Sequence, residues 1–428
     1  MSERTDASIR LPPPPGLTAG PATLDPPGPG PSKRLLFIAH RLPFPPDKGE
    51  RLRAFGEIRA LSEAFDVTLA ALVAGPADAV AINALRMYCS NVILAPRPSF
   101  RRLTGGVRSL LSGRSATEGY FAGRAMNRLI RQAAGERPFD VAVGYCSAMA
   151  AALLAAPARV RVMDLVDVDS AKWAAYAAGA TGPQRWLYLT EARRVGRLER
   201  RVLRTCDHVV LVSQAEAARL NSRTPNVLAV SNGVDLEYFT PSPLPVEPSL
   251  VFTGSMDYRP NVEGVCWFVR EVWGEVRRTL PAATFTIVGR NPTAAVRALA
   301  ETPGVVVTGA VPDVRPYLAA ARVAVAPLRI ARGIQNKVLE AMAAGRPVVG
   351  TRQALEGLDV RPGVDVLQAD APELWRAHVV ALLADDALAE SLAAAARRTA
   401  TSAYSWSARM SPLVRLCRQL AEGDPMSQ

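Results

Sequence analysis

The chain has 428 residues, of which 49% are hydrophobic and 21% are charged, which predicts an ordinary soluble globular protein with two domains. Its net charge is +12, with 31 Lys and Arg against 21 Asp and Glu in residues 1–240 and 20 against 18 in the remainder. The basic first half suits an anionic partner, or it reflects only an Arg- and Ala-rich composition. No paired Cys/His spacing, RNP-like aromatic run or heptad-linked basic helix is present, so nucleic acid is not an expected partner.

The five cysteines are far apart and form no CxxC or Cys/His cluster. Neither a disulfide framework nor a zinc site is indicated, which fits a reducing cytoplasm. Residues 1–32 are rich in Pro and Gly and contain no signal peptide, so they are expected to be a disordered leader. The uncharged run 141–158 is rich in Ala and contains Gly144 and Pro157. It therefore predicts a buried strand followed by a short helix rather than a membrane span.

The first domain is expected to begin with a strand, a loop, a helix and a second strand. Residues 35–39 are continuously apolar, 40–49 are rich in Pro, and 51–65 place apolar residues on one helical face with Arg51, Arg53, Glu57 and Arg59 elsewhere. Residues 67–73 are the next strand, and this order is typical of a parallel sheet. Further strands are predicted at 140–143, 160–165, 208–212 and 227–230, with a long basic helix at 185–204.

A second strand–helix series follows the Pro-rich linker 241–248. The predicted strands are 250–253, 284–288, 305–308, 323–327 and 347–349, and the predicted helices are 262–279, 294–300 and 335–344. The fold class is therefore α/β, with two Rossmann-like domains at 33–240 and 249–402. The final segment 403–428 contains one more helix, at about 406–421.

The most informative stretch runs from residue 323 to residue 350. A strand ends, a loop with Gly333 turns tightly, and a helix begins with free N–H groups that suit a phosphate. Asn336, Lys337 and Glu340 share one helical face, at the strand ends where open α/β sheets bind ligands. A cation beside a diphosphate and a carboxylate beside ribose hydroxyls would serve a nucleotide. The alternative is an ordinary i,i+3 surface ion pair.

Residues 332–349 resemble the donor-binding signature of group 1 glycosyltransferases, a large retaining family with the GT-B fold, in which two such domains face each other across a cleft. That family often has two glutamates with seven residues between them. Glu340 matches the second, whereas Arg332 stands at the position of the first. The resemblance implies catalytic roles for Glu340 and Lys337. It also implies that Arg332 contacts either donor phosphate or an anionic acceptor.

Other matching pieces keep the family's order along the chain. They are the loop 43–49, the segments 232–235 and 252–261, the loops 288–292 and 308–313, and Trp406 at the start of a helix that returns to the first domain. The resemblance implies a donor-binding set consisting of Gly49, Arg259, Gly289, Arg290, Val311, Pro312, Arg332, Gly333, Ile334, Gln335 and Asn336. Residues 41–49, 164–173 and 333–340 are most similar to the sugar transferases of exosortase/PEP-CTERM exopolysaccharide clusters.

The resemblance implies a UDP- or GDP-linked sugar as donor substrate, with no bound cofactor. It also implies a polyprenyl-linked or oligosaccharide acceptor. Asp167 and Asp169 form a DxD sequence, the metal motif of GT-A enzymes, and alternate residues of a strand face one side. GT-B enzymes stabilise the leaving diphosphate with cations and helix ends, so no metal is expected. Either aspartate would then orient or deprotonate the acceptor hydroxyl, unless Asp169 only caps the next helix and Asp167 lies on the surface.

The basic residues within 100–114 and 185–204 leave two interpretations open. They either attach the first domain to anionic lipid on the inner face of the cell membrane, or they are a solvated surface. Two alternatives to a transferase also remain. One is a catalytically silent nucleotide-sugar-binding subunit, and the other is a nucleotide-sugar epimerase on the same fold.

Overall fold

The structure is a computed structural model that describes residues 33–46, 49–75, 78–97, 115–121, 123–220, 226–331 and 333–423. The expected leader, the whole basic segment 100–114 and Arg332 lie outside these residues.

The first domain is built on a seven-stranded, all-parallel sheet with the strand order β3-β2-β1-β4-β5-β6-β7. Its strands are β1 (Arg34–Ala39), β2 (Asp66–Val73), β3 (Asn91–Pro96), β4 (Phe139–Tyr145), β5 (Ala158–Val166), β6 (His208–Leu211) and β7 (Val227–Ala229). Its helices are α1 (Gly49–Ser62), α2 (Ala79–Arg86), α3 (Ala116–Phe121), α4 (Arg124–Ala134), α5 (Ala150–Ala155), α6 (Asp169–Ala178), α7 (Gly182–Thr205) and α8 (Gln214–Arg219). A 3₁₀ turn, Ser147–Met149, precedes α5.

The second domain has a six-stranded parallel sheet with the strand order β10-β9-β8-β11-β12-β13. Its strands are β8 (Ser249–Thr253), β9 (Thr284–Val288), β10 (Val305–Gly309), β11 (Val323–Ala326), β12 (Val348–Gly350) and β13 (Leu367–Gln368). Its helices are α9 (Arg259–Phe268), α10 (Gly274–Thr279), α11 (Ala294–Ala298), α12 (Arg315–Ala319), α13 (Asn336–Ala343), α14 (Arg352–Leu355), α15 (Pro372–Ala384) and α16 (Asp386–Ala403). A π-helical turn, Val269–Trp273, joins α9 to α10.

Each sheet is buried on both faces by helices, which explains the continuous apolar strands. Two clusters pack on opposite faces of the first sheet. One contains Leu35 and Phe37, and the other contains Leu36 and Ile38. Alternate residues of β1 therefore serve different cores, as the period of a strand requires.

The last helix, α17 (Trp406–Glu422), packs against the first domain although it follows the second. Its apolar face, which includes Met410 and Leu413, belongs to the first-domain core. The indole of Trp406 lies so close to Gly56 that a Cβ at Gly56 would overlap it, and Gly233 lies equally close to the Trp406 backbone. Small residues at both positions allow this crossing.

The two-domain α/β architecture predicted from the sequence is confirmed. Strands β3 and β13 and several short helices were not predicted, because their apolar runs are short or are interrupted by polar residues. The prediction that Arg53 and Glu57 lie away from the buried face is wrong, since both are completely buried. Within the described ranges, no helix is long and apolar enough to cross a membrane.

Candidate functional site: the start of helix α13

Helix α13 begins at the carboxyl edge of the second sheet, after the tight turn at Gly333. Gly333 has a φ of +63°, a conformation that glycine adopts without the penalty of a Cβ. Val338, Leu339 and Met342 are buried against the domain core. The opposite face carries the polar side chains, as the sequence predicted.

Lys337 is held at the head of the site by two contacts. Its Nζ donates a hydrogen bond of 2.6 Å to Asn261 Oδ1 and lies 4.5 Å from the centre of the Phe252 ring. Burial lowers the pKa of Lys337 to about 7, although Glu340 acts in the opposite direction. A diphosphate placed beside this amine would favour its protonated form.

Glu340 lies one turn further along the same face and is partly exposed. Burial raises its pKa to about 7, and the attraction of Lys337 only partly offsets this. Among the described residues, no ion pair or side-chain hydrogen bond joins Glu340 to Lys337, whose amine turns to Asn261 instead. The surface ion-pair alternative is therefore wrong, and Glu340 retains hydrogen-bonding capacity toward the cleft.

Two glycine loops of the second domain pack together beside Lys337. A Cβ on Gly289 would overlap the carbonyl oxygen of Gly254, and a Cβ on Gly254 would lie 3.3 Å from Lys337 Nζ. The carbonyl of Arg290 accepts a 2.8 Å hydrogen bond from the N–H of Met256. The fold thus packs the loop of Gly289 and Arg290 against the loop of Gly254, which lies beside Lys337, and both glycines leave room for close backbone approach.

The first domain meets the start of α13 through Gly49 and Asn232. Asn232 Nδ2 donates a 2.9 Å hydrogen bond to Asn336 Oδ1. A Cβ on Gly49 would lie 3.4 Å from Asn336 Nδ2. Gly49, Asn336 and Lys337 therefore cluster at one point of the cleft.

Asp167 projects from the first domain against the turn at Gly333, where a Cβ would overlap its carboxylate. Its Oδ1 is buried, with no hydrogen-bond partner among the described residues. Burial is the main reason why the pKa of Asp167 rises to about 7, and Glu216 adds to the effect. A carboxylate with an unused oxygen is thus placed opposite the donor helix, and the surface alternative for Asp167 is wrong.

Asp169 is the first residue of α6 but does not cap it, since the N-cap position is Val168 and no side chain caps this helix. Instead, Asp169 Oδ2 accepts a 2.6 Å hydrogen bond from Ser147 Oγ. The capping interpretation is therefore wrong. In the described part of the chain, no three His, Cys, Asp or Glu side chains are grouped to hold a metal ion.

The remaining candidates are less central. Arg259 donates a 2.6 Å hydrogen bond to Glu263 and lies near Gly179 of the first domain. Its guanidinium is therefore engaged at the rim of the cleft.

Ile334 is buried, and Gln335 Nε2 donates a 3.5 Å hydrogen bond to the Gly333 carbonyl, so both shape the turn. Val311 packs on the second-domain core, while Pro312 is exposed. Among the described residues, neither Val311 nor Pro312 makes a hydrogen bond to Lys337, Asn261 or Gly254.

Sequence reasoning missed Asn261, which orients Lys337, and Gly254, which makes room for both. The Gly254 signal was available, because a glycine directly after strand β8 is typical of a ligand-approaching loop. Asn261 gave no such signal. It lies 76 positions before Lys337, and only the tertiary fold of the second domain brings the two side chains together.

Residues 247–385 match the family model described as glycosyl transferases group 1. No curated protein sequence matches the chain. Many solved structures are similar to this chain, among them the following three, which cover nearly the whole fold. Sucrose-phosphate synthase (tll1590) from Thermosynechococcus elongatus is 16% identical, with a TM-score of 0.69 over 92% of this chain and 100% of that one.

Anabaena Alr3699/HepE, solved with UDP-glucose, is 16% identical, with a TM-score of 0.62 over 91% of this chain and 98% of that one. WaaG, a glycosyltransferase involved in lipopolysaccharide biosynthesis, is 16% identical, with a TM-score of 0.60 over 90% of this chain and 99% of that one. The second domain therefore matches the group 1 glycosyltransferases in sequence, and the chain as a whole has the GT-B fold.

Proposed function

We propose that this chain is a retaining glycosyltransferase that moves a hexose from a nucleotide sugar to a glycan or lipid-linked acceptor. The observation that carries the proposal is the start of α13, where Lys337 lies beside Gly254 and Asn261, Glu340 follows one turn later, and Asp167 of the first domain lies against the turn at Gly333. Lys337 and the free N–H groups of the helix would bind the diphosphate, and Glu340 would bind hydroxyls of the ribose or the sugar.

The transfer step needs stabilisation of a leaving diphosphate and removal of one proton from the acceptor. Lys337 and the helix start supply the first. In a front-face displacement, the leaving phosphate oxygen takes the acceptor proton, and Asp167 or Asp169 orients the acceptor hydroxyl. No enzyme nucleophile is then required on the sugar carbon. Retention rests on the resemblance of residues 332–349 to the retaining family.

A panel of labelled nucleotide sugars tests the proposal. UDP-glucose is the first choice because HepE was solved with it, and GDP-linked sugars follow. Acceptors in the panel are polyprenyl-pyrophosphate-linked sugars and free oligosaccharides. Transfer, or slow hydrolysis of the donor, supports the proposal, and NMR of the product's anomeric carbon distinguishes retention from inversion. No turnover of any donor would contradict it.

A catalytically silent nucleotide-sugar-binding subunit is the second candidate, and two observations favour it. Arg332 occupies the position of the usual first glutamate, and the guanidinium of Arg259 is bonded to Glu263. Donor binding by calorimetry without hydrolysis or transfer would support this candidate. Conversion of the donor to an epimer, read in the same panel, would support the epimerase.

We further propose that the enzyme works in exopolysaccharide synthesis, at the inner face of the cell membrane. Trp186 and Leu187, at the start of the basic helix α7, are 67% and 47% exposed. Exposed apolar residues beside Arg side chains suit an anionic bilayer surface. Pelleting with anionic and neutral vesicles tests this contact. Trp186→Ser should reduce pelleting with anionic vesicles, and equal pelleting with both lipids would exclude the contact.

A further inference from the structure

Cys146 occupies an unusual backbone position at the carboxyl end of β4. It has a φ of +65° and a ψ of 157°, a conformation that residues other than glycine rarely adopt. The chain turns sharply there from the strand into the 3₁₀ turn Ser147–Met149. The sulfur is partly buried and lies at the edge of the first sheet that faces the cleft.

His40 follows strand β1 at the same edge, and its imidazole joins Cys146 to Glu50. Cys146 Sγ lies 3.2 Å from His40 Nδ1, and His40 Nε2 lies 3.4 Å from Glu50 Oε2. The ring stacks on Tyr145 with centroids 6.1 Å apart and meets the edge of Phe121 at 5.6 Å. These rings fix the plane of the imidazole, so both of its nitrogens stay aligned with their partners.

The charges around the imidazole favour its protonated form. Burial by itself lowers the pKa of His40, but Cys146 and Glu50 outweigh it and raise the pKa to about 9. The other Glu50 oxygen lies 3.0 Å from Arg41 Nη1. The Tyr145 hydroxyl donates to the Glu50 backbone carbonyl at 2.7 Å and does not compete for the imidazole.

Among the described residues, no histidine contacts any of the other four cysteines. Cys89, Cys206 and Cys417 are buried, and burial raises the pKa of the Cys89 thiol to about 12 and that of Cys206 to about 11. Cys266 is partly buried like Cys146, yet burial raises its thiol pKa as well, against the pull of Arg270. Cys266 is therefore a matched internal control whose exposure is similar to that of Cys146.

We propose that Cys146, His40 and Glu50 form a Cys–His–Glu triad in which the imidazole takes the thiol proton, and that this makes Cys146 the site of covalent modification by peroxides and alkylating electrophiles. His40 Nδ1 lies 3.2 Å from the sulfur, so the thiol proton can move to the imidazole and leave a thiolate, which is the reactive form of cysteine, beside the imidazolium. With hydrogen peroxide, the thiolate attacks one peroxide oxygen, so an S–O bond forms and the O–O bond breaks. Sulfur loses two electrons, and the departing hydroxide takes the imidazolium proton to become water.

The modified sulfur would lie beside the residues assigned to the acceptor. Ser147, the next residue, donates its hydroxyl to Asp169. An added oxygen or carbamidomethyl group at Cys146 would therefore intrude on this part of the cleft and inhibit transfer. That consequence rests on the proposed function, whereas the reactivity of Cys146 does not.

The test is competitive alkylation of the intact chain with iodoacetamide at pH 7, quantified peptide by peptide by mass spectrometry. Cys146 should react about tenfold faster than Cys266. His40→Gln should bring the Cys146 rate to within about twofold of that of Cys266, and Glu50→Gln should lower it less. Hydrogen peroxide followed by dimedone should label Cys146 as a sulfenic acid. Equal reaction at the two cysteines, or an unchanged rate in both folded variants, would overturn the proposal.

Inactivation is measured separately. Iodoacetamide should abolish transfer by the wild type and leave Cys146→Ser active. If Cys146 proves selectively reactive but no nucleotide sugar is turned over, the triad stands and the proposed function fails. If transfer occurs and Cys146 reacts no faster than Cys266, the reverse holds.

Discussion

Each domain contains a group of charged side chains, completely buried in the first domain and partly exposed in the second, and the two groups are organised differently. In the first domain, Arg53, Glu57 and Asp164 are all 0% exposed. Arg53 Nη2 lies 2.7 Å from Asp164 and Nε lies 2.9 Å from Glu57, and Nη1 donates to Asn232 Oδ1 at 2.9 Å. Burial and the nearby Asp164 raise the pKa of Glu57 well above its usual range, against the pull of Arg53. This group is closed and self-neutralising.

In the second domain, Lys337 and Glu340 share a helix face without an ion pair, and both have a pKa of about 7. Lys337 is anchored by a neutral amide rather than a carboxylate, and Glu340 is partly exposed. A cluster whose charges are satisfied internally stabilises the fold. A cluster whose charges are held apart at the edge of a cleft is ready for an external partner. The first cluster is therefore structural, and the second is the candidate donor site.

Removing Arg53 should have the largest effect. Arg53→Met leaves Asp164 buried without its cation, and the free energy of unfolding should fall by about 3–5 kcal/mol. Urea denaturation followed by circular dichroism measures this. Arg59→Met, an exposed change on the same helix, is the control and should cost less than about 0.5 kcal/mol. If the free energy of unfolding of Arg53→Met fell by less than about 1 kcal/mol, the structural role assigned to the Arg53 cluster would be wrong.

Substitutions of Lys337 and Glu340 should reduce activity and leave stability nearly unchanged. Lys337→Ala or Glu340→Ala should reduce kcat/KM about 100-fold or more, because each change removes a group that contacts the donor. Their free energy of unfolding should change by less than about 1 kcal/mol. Arg352→Ala is the matched control, since its side chain is 77% exposed. Normal activity in both site variants would overturn the assignment.

The pH dependence of donor binding separates the two clusters further. As the pH falls through about 7, Lys337 gains a positive charge and Glu340 loses its negative one, so the site becomes more favourable to a diphosphate. The affinity for UDP should therefore increase about threefold to tenfold between pH 8 and pH 6.5. Calorimetry in buffers of different ionisation enthalpy should show proton uptake on binding.

In Lys337→Met, that proton uptake and the pH dependence should both decrease. A dissociation constant of the wild type that does not change with pH would contradict the linkage.

The hydrogen bond between the clusters should matter least. Asn232 accepts from Arg53 and donates to Asn336. Asn232→Ala should cost about 1–2 kcal/mol of stability because a donor of the buried Arg53 loses its partner. Asn336→Ala breaks only the contact between the domains and should cost less. Equal losses of stability in the two variants would mean that the hydrogen bond between Arg53 and Asn232 makes no additional contribution to stability.

Much of the fold was accessible from sequence because its strands are continuous apolar runs. Strand β9 was predicted at its observed bounds, and α13 to within one residue at each end. The polar and apolar faces of α13 also followed from helical periodicity. Helical periodicity wrongly predicted that Arg53 and Glu57 are exposed, because charged residues are assigned to the exposed face unless their buried partners are known. Those partners, Asp164 and Asn232, are 111 and 179 positions away from Arg53.

Two parallel α/β domains, and the turn and helix that present Lys337 and Glu340, follow from local sequence patterns, since each depends on residues close together in the chain. By contrast, the contacts of Asn261 with Lys337, of Asp167 with Gly333 and of His40 with Cys146 depend on the tertiary structure. Such contacts join strand ends and helices from distant segments. Their geometry comes from how the sheets and domains pack, which no local pattern of residues encodes.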